Sequence, residues 1–227
     1  MPRKNSLKLY IENGYCHIYN RGVEKRKIFM DEDDYNTFLH LLKYYLSPVN
    51  QGITHPSTNL ESYKILRPRP LLNLSGEVDL LAFCLMPNHF HLLLKQTTKD
   101  GMTKLLRSLS TTYSMYFNRK YDRVGHLFQG PYRAVVIDND PYILHLSRYI
   151  HLNPTELTGV TPVNYKYSSY QYYLENKKAD WVKPELILKY FESSKTLPFL
   201  KNFNSYKKFV ELNTKNPRKV IGKLTLD

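Results

Sequence analysis

Pro87 and Asn88 split the most apolar part of the chain into two strand-length runs, and this division constrains the fold more than any other feature of the sequence. Val78 to Met86 and His89 to Lys95 both read as strands. Proline has no amide hydrogen to give to a sheet, so the pairing cannot run on through position 87 and a kink or tight connection must precede the second run. That second run opens His89-Phe90-His91. Successive strand side chains point to opposite faces, so the two histidines share one face and Phe90 points to the other. Two imidazoles side by side on a rigid strand supply two-thirds of a metal site, or a general-base pair. They could equally be two polar residues on the solvated face of a half-buried strand.

The chain has 227 residues, enough for one domain of ordinary size with an extension, or for two small ones. A hydrophobic content of 42%, with 14% aromatic residues, is enough to pack a core. Thirty-three Lys and Arg against 20 Asp and Glu give a net charge of +13, which points to a polyanionic partner such as nucleic acid. Cys16 and Cys84, both in apolar runs, fit buried thiols in a reducing compartment better than a disulfide framework, and neither has metal-site spacing. The longest apolar stretch, Leu80 to Met86, is far short of the roughly 18 residues of a membrane span. Met1 to Ser6 is basic without an apolar core behind it. The expectation is a soluble cytoplasmic protein, with no membrane partner, that associates with the nucleoid when bound to DNA.

In chain order, Tyr15 to Asn20 alternates and stops at Arg21-Gly22, a strand and then a turn. Asp31 to Asp34 gives an acidic first turn to an amphipathic helix of about residues 32 to 46. Residues 48 to 77 read as an elaborated loop holding one short strand around Tyr63 to Leu66. A helix from about Met102 to Tyr121 buries Met102, Leu105, Leu106, Leu109, Tyr113, Tyr116 and Phe117, and shows Lys104, Arg107, Thr111, Thr112, Asn118 and Arg119 on its other face. Residues 99 to 133 hold seven basic and two acidic side chains, either a solvated helix face or a phosphate-tracking surface. The candidate DNA contacts there are Arg107, Arg119, Lys120, Arg123 and Arg133. In the glycine-bracketed loop Gly125 to Gly130, His126 and Gln129 either shape the loop or touch DNA as well. Tyr132 to Ile137 reads as a strand. Asp140 as N-cap and Pro141 at the first helical position open a further helix, and Asn153-Pro154 closes it. Beyond Thr155 the chain becomes rich in tyrosine, with short helices expected at Pro184 to Phe191 and Asn204 to Leu212. This order predicts an α+β fold: an antiparallel sheet with helices packed on one face, followed by a mostly helical C-terminal extension.

In the helix after Pro141, His145, Tyr149 and Asn153 recur every four residues, on a stripe beside the buried Ile143, Leu146 and Ile150. A stripe bordering the buried face is where a cleft-lining residue would sit. Tyr113 and Tyr116 fall on the apolar face of their own helix and read as core. Tyr142, in the first turn, stays a reserve nucleophile. His145 either relays a proton to Tyr149 or caps a polar cleft.

Pro87-Asn88-His89-Phe90-His91, Gly125-His126-Leu127-Phe128-Gln129-Gly130 and Arg148-Tyr149-Ile150-His151-Leu152-Asn153-Pro154 occur in that order, with Tyr19-Asn20-Arg21-Gly22 before them. Together they resemble the single-tyrosine HUH transposases of the insertion-sequence-200-like family, most closely the REP-associated tyrosine transposase branch. The resemblance covers roughly residues 10 to 160. Pro131 departs from it, standing where relatives usually carry a basic residue. The resemblance implies a ferredoxin-like (RRM-like) domain over residues 1–160; residues 161–227 read from their composition as a basic, Tyr-rich extension. It implies cleavage and rejoining of single-stranded or hairpin DNA through a 5′-phosphotyrosine. Tyr149 would be the nucleophile, and His89, His91 and Asn153 the ligands of a divalent metal, Mg²⁺ or Mn²⁺, in a chain that acts as a monomer rather than a homodimer. The alternative is a non-catalytic or domesticated module that binds single-stranded nucleic acid by stacking bases on aromatic rings.

Overall fold

The computed structural model describes residues 11–48, 72–192 and 197–212; the short strand expected around Tyr63 lies outside them. Strand β1 (Tyr15–Arg21) leads to helix α1 (Glu32–Leu46), and the hairpin of β2 (Val78–Met86) and β3 (His89–Gln96) follows. Helix α2 (Gly101–Lys120), β4 (Arg133–Ile137) and α3 (Asp140–Leu152) complete the core arrangement. The four strands pair antiparallel in the order β2-β3-β1-β4. A β-α-β-β-α-β chain with its first and third strands central is the ferredoxin-like topology. Pro87 and Asn88 form the two-residue connection, with Met86 paired to His89 across it. The Pro87 carbonyl is not wasted, accepting from the amides of Ile28 and Phe29. Gly22, after β1, is needed for room: a Cβ there would collide with the Arg26 carbonyl oxygen.

The two faces of the sheet receive different cover. Cross-strand partners share a face, so Ile18, Leu92, Phe90, Phe83 and Leu85 lie together on one side. Helices α1 and α2 cover this side: Phe38 of α1 sits 5.1 Å from Phe90, and Tyr113 of α2 packs 5.0 Å from Phe38. All seven residues expected on the apolar face of α2 are buried. Thr112, expected on its polar face, is buried too, because its hydroxyl meets that of Tyr45 in α1 at 3.3 Å. Helix α1 starts with a capping box, in which Asp31 accepts from the Asp34 amide while Asp34 accepts from that of Asp31.

Helix α3 lies over the opposite face; its end falls at Asn153 as expected, but its start does not. Its N-cap is Asn139, whose Oδ1 accepts from the Tyr142 amide at 3.0 Å, and not Asp140. The cap therefore precedes Pro141 by two residues, and Asp140 becomes the first-turn acid that complements the helix dipole. At the other end Asn153 keeps helical angles (φ −51°, ψ −40°) despite the following proline, and the chain tightens into a 3₁₀ turn over Asn153–Glu156. The distinction matters because it leaves Asn153 on the helix surface, one turn beyond Tyr149.

The extension carries short helices α4 (Tyr170–Tyr173), α5 (Glu185–Glu192) and α6 (Tyr206–Glu211). It packs into the same core. Leu85 and Phe83 of β2, an edge strand, exchange backbone hydrogen bonds with Tyr167 and Ser169, which satisfies part of an otherwise open edge. Tyr206 reaches α3, where its hydroxyl meets His151 Nδ1 at 2.7 Å and donates to Ser147 Oγ at 3.0 Å. Among the described residues no helix is long and apolar enough to cross a membrane.

Candidate active site

The face of the sheet beneath α3 carries His91, with Tyr19 opposite it on β1 and Cys84 opposite it on β2. One register step along β3 is His89, opposite Arg21 and Met86. One step the other way on β1 is His17. The sheet thus gathers three histidines, from two strands distant in sequence, onto one surface. His89 and His91 stand edge to face with ring centroids 5.0 Å apart. Tyr149 of α3 presents its ring nearly perpendicular to both buried imidazoles, 5.4 Å from His91 and 6.3 Å from His17. The expected nucleophile and the His-x-His strand therefore meet within a single chain. Tyr149 is only 4% exposed.

The hydrogen bonds around the two histidines decide which of their nitrogens could hold a metal. Asn88 donates through Nδ2 to the Lys25 carbonyl, which turns its Oδ1 towards His89 Nδ1 at 2.7 Å. An amide oxygen can only accept, so His89 Nδ1 carries the proton and Nε2 keeps the lone pair. His91 Nδ1 lies 2.9 Å from His17 Nε2, which can donate or accept, so Nε2 is the His91 nitrogen outside this contact. Asn153 is buried; its Nδ2 donates to the Tyr149 carbonyl at 2.8 Å, while its Oδ1 has no hydrogen-bond partner among the described residues. A buried carbonyl oxygen without a donor is costly, and a cation is one way to satisfy it. Two imidazole nitrogens and one amide oxygen make a mixed donor set, one that suits a transition-metal ion better than an ion restricted to oxygen ligands. Among the described residues no group of three or more His, Cys, Asp or Glu side chains is arranged to hold a metal, so an ion here depends on that amide.

The other expected site residues scatter. His145 turns towards the extension, stacking 5.0 Å from Phe199 and 5.6 Å from Phe209, and burial pulls its pKa down. A proton relay to Tyr149 finds no support in that packing. Tyr142 is 42% exposed in the first turn of α3, two turns from Tyr149. Arg107 and Arg119 are exposed on α2, the helix that covers the Phe90 face. Lys120 spends its charge inside the protein, donating to Asp31 at 2.7 Å and to the buried Asp34 at 3.0 Å. Arg123 donates to Asn118, whose own Nδ2 holds the Gly125 carbonyl, so both shape the loop. His126 is exposed and, with Gln129, lines an open groove of about 750 Å³ between α2 and that loop. Gln129 also accepts from Arg21 Nε at 2.6 Å. Arg133 pairs with Tyr19 and so shares the His91 face.

Two residues on this face escaped the reading of the sequence. His17 and Arg21 lie in the first strand, and only the pairing of β1 with β3 brings them beside the histidines. The alternation of β1 placed His17 and Tyr19 on one face, but nothing local named the neighbouring strand.

The geometry defines a ferredoxin-like chain with three histidines on one sheet face and a helix-borne tyrosine packed against two of them. Residues 72–153, which span His89, His91, Tyr149 and Asn153, match the family described as "Transposase IS200 like". Of 15 matching chains from solved structures, one is a REP-associated tyrosine transposase bound to a REP hairpin. It is similar to 78% of this chain over 88% of its own length, with a TM-score of 0.51 and 14% identity, a likeness of fold. No curated protein matches the chain. Over residues 72–153 the chain is thus similar to the IS200-like transposases, the family its motifs resemble.

Proposed function

We propose that this protein cleaves and rejoins single-stranded or hairpin DNA with Tyr149 as nucleophile. The observation that carries the reading is the placement of the Tyr149 ring against His91, on the strand face that also bears His89, within one chain. That placement also supports action as a monomer. The hairpin held by the structural relative suggests the form of substrate.

Tyr149 Oη gives up its proton and attacks phosphorus; the phosphorus–O3′ bond breaks, leaving a 5′-phosphotyrosine on one side and a free 3′-hydroxyl on the other. Attack by a 3′-hydroxyl on the same phosphorus reverses the step and returns the phenol, so rejoining needs no outside energy source. A phenol with a pKa near 10 is a poor nucleophile at neutral pH, which is why help at phosphorus is needed. A divalent cation held by His89 Nε2, His91 Nε2 and Asn153 Oδ1 would withdraw charge from a phosphate oxygen and orient the scissile bond. Asn153 ties the Tyr149 carbonyl to the proposed ligand set, so the nucleophile's turn of helix and the site are held together. Arg21 and Arg133, on the same face, offer guanidinium groups to the flanking phosphates.

A base-stacking module without chemistry requires exposed rings. On this face Tyr19 is buried and offers no ring for a base to stack on. The test is a labelled hairpin with a single-stranded flank, incubated with Mn²⁺ and resolved under denaturing conditions. The parent is expected to form a covalent protein–DNA adduct, and Tyr149→Phe, which removes one oxygen and keeps the packing, is expected to form none. An adduct undiminished in Tyr149→Phe would overturn the assignment and turn attention to Tyr142.

A further inference from the structure

We propose that His17 is a positioning residue for the metal site: it accepts the Nδ1 proton of His91 and thereby fixes the tautomer in which His91 Nε2 can bind a cation. The inference rests on the metal-site reading above and adds a residue to it.

Both rings are fully buried, 2.9 Å apart between His17 Nε2 and His91 Nδ1, and stacked with centroids 5.1 Å apart. Such a pair has two neutral arrangements. If His91 carries its proton on Nδ1, it donates to His17 Nε2, and His91 Nε2 keeps its lone pair. If His17 donates from Nε2 instead, His91 must hold its proton on Nε2, and that atom cannot bind a metal. The tautomer of His17 thus decides whether His91 is a ligand. His17 takes the first arrangement when its own proton sits on Nδ1. Metal-bound imidazoles are commonly oriented by an acceptor on their second nitrogen, and removing such an acceptor weakens metal binding by about 10–100-fold. For His89 the same office is filled by Asn88 Oδ1, which can only accept. His17 is the less rigid counterpart. It is held in place by strand pairing, by Tyr19 4.9 Å away and by the edge of Tyr149. The ring of the nucleophile therefore packs on the same residue that would orient the ligand.

Two measurements test this. The first is nitrogen-15 NMR of the imidazoles in the metal-free protein, which reports the tautomer directly. His91 is expected as the Nδ1–H form in the parent and as the Nε2–H form in His17→Leu. The second is calorimetry with Mn²⁺ alone. His17→Leu is expected to bind about 10–100-fold more weakly than the parent. His17→Gln, which keeps an acceptor, is expected to recover most of the loss. Unaltered Mn²⁺ affinity in His91→Ala would show that the metal site itself is misplaced, whatever His17 does. Loss in His91→Ala together with parent-like binding and an unchanged His91 tautomer in His17→Leu would overturn the role of His17 alone. Should His17→Leu fail to fold, an Nε2–H tautomer of His91 in the metal-free parent would overturn it as well.

Discussion

Phe90 and His91 are neighbours on β3, both with no exposed surface, yet they belong to two different kinds of interior. Phe90 enters an aromatic layer in which Phe38, Phe29, Tyr113 and Phe128 meet ring against ring. His91 enters a layer of imidazoles, a phenol and an amide, whose polar atoms must be matched one by one. The first layer is held by area removed from water and tolerates no cavity; the second is held by hydrogen bonds whose donors and acceptors must match. The difference shows how a chain of this size accommodates a polar site at its centre. Three helices are divided between the faces, two over the aromatic layer and one over the histidines.

The sharpest way to break this comparison is to truncate each neighbour in turn. Phe90→Ala should cost about 3–5 kcal/mol, since the aromatic layer cannot close over the lost ring. His91→Leu, at the same depth, should cost no more than about 1–3 kcal/mol, arising mainly from the partner left on His17. Denaturant titration followed by circular dichroism measures both. Equal losses at the two positions would mean that the faces are not energetically distinct.

A second buried histidine sharpens the contrast on the polar side. His151, two residues beyond Tyr149, accepts or donates to Tyr206 Oη and Ser169 Oγ, both at 2.7 Å, and burial drives its pKa down to about 3. It is neutral in both folded and unfolded chains above its ordinary pKa of about 6.5, so its full contribution is present there. As pH falls below that value, the unfolded chain takes up a proton that the folded chain refuses until about pH 3. Stability is therefore lost with falling pH across that window, at up to about 1.4 kcal/mol per pH unit. His151→Gln keeps hydrogen-bonding capacity and cannot titrate. The difference in stability between parent and variant should shrink as unfolding is measured at pH 7, 6 and 5. A difference independent of pH would remove His151 from the acid response.

The motifs and periodicities reached the strands, the hairpin and the three long helices, because each is written in local spacing: alternation in β1, a proline between β2 and β3, a 3.6-residue stripe in α1, α2 and α3. By resemblance they also assigned His89, His91, Tyr149 and Asn153 to one site. What they could not reach depends on neighbours distant in sequence. His17 became visible only through strand order. Lys120 looked like a free cation until Asp31 and Asp34, almost ninety residues away, were found against it. His145 lies on the right helical stripe, but Phe199 and Phe209 of the extension claim its ring. Arg107 and Arg119 lay within a basic run, and a net charge in sequence does not say which face of the sheet will carry it.

That last point yields the smallest and most local expectation. If DNA is processed on the His91 face, phosphates track the basic groups of that face, and Arg133, opposite Tyr19 on β4, is among them. Arg107 lies exposed on α2, behind the aromatic layer. Each phosphate contact releases about one counterion, so losing one reduces the slope of log affinity against log salt by about 0.7–0.9. Arg133→Gln should therefore bind a single-stranded flank about 5–10-fold more weakly at low salt, a loss of roughly 1–1.4 kcal/mol, and with a shallower salt dependence. Arg107→Gln should leave both nearly as in the parent. The measurement is fluorescence anisotropy of a labelled hairpin over a series of salt concentrations without metal, so that cleavage does not intrude. Equal effects of the two substitutions would place the strand across both sides of the protein. A larger effect at Arg107 would move the DNA to the α2 side and separate it from Tyr149, which no reaction at that phenol could survive.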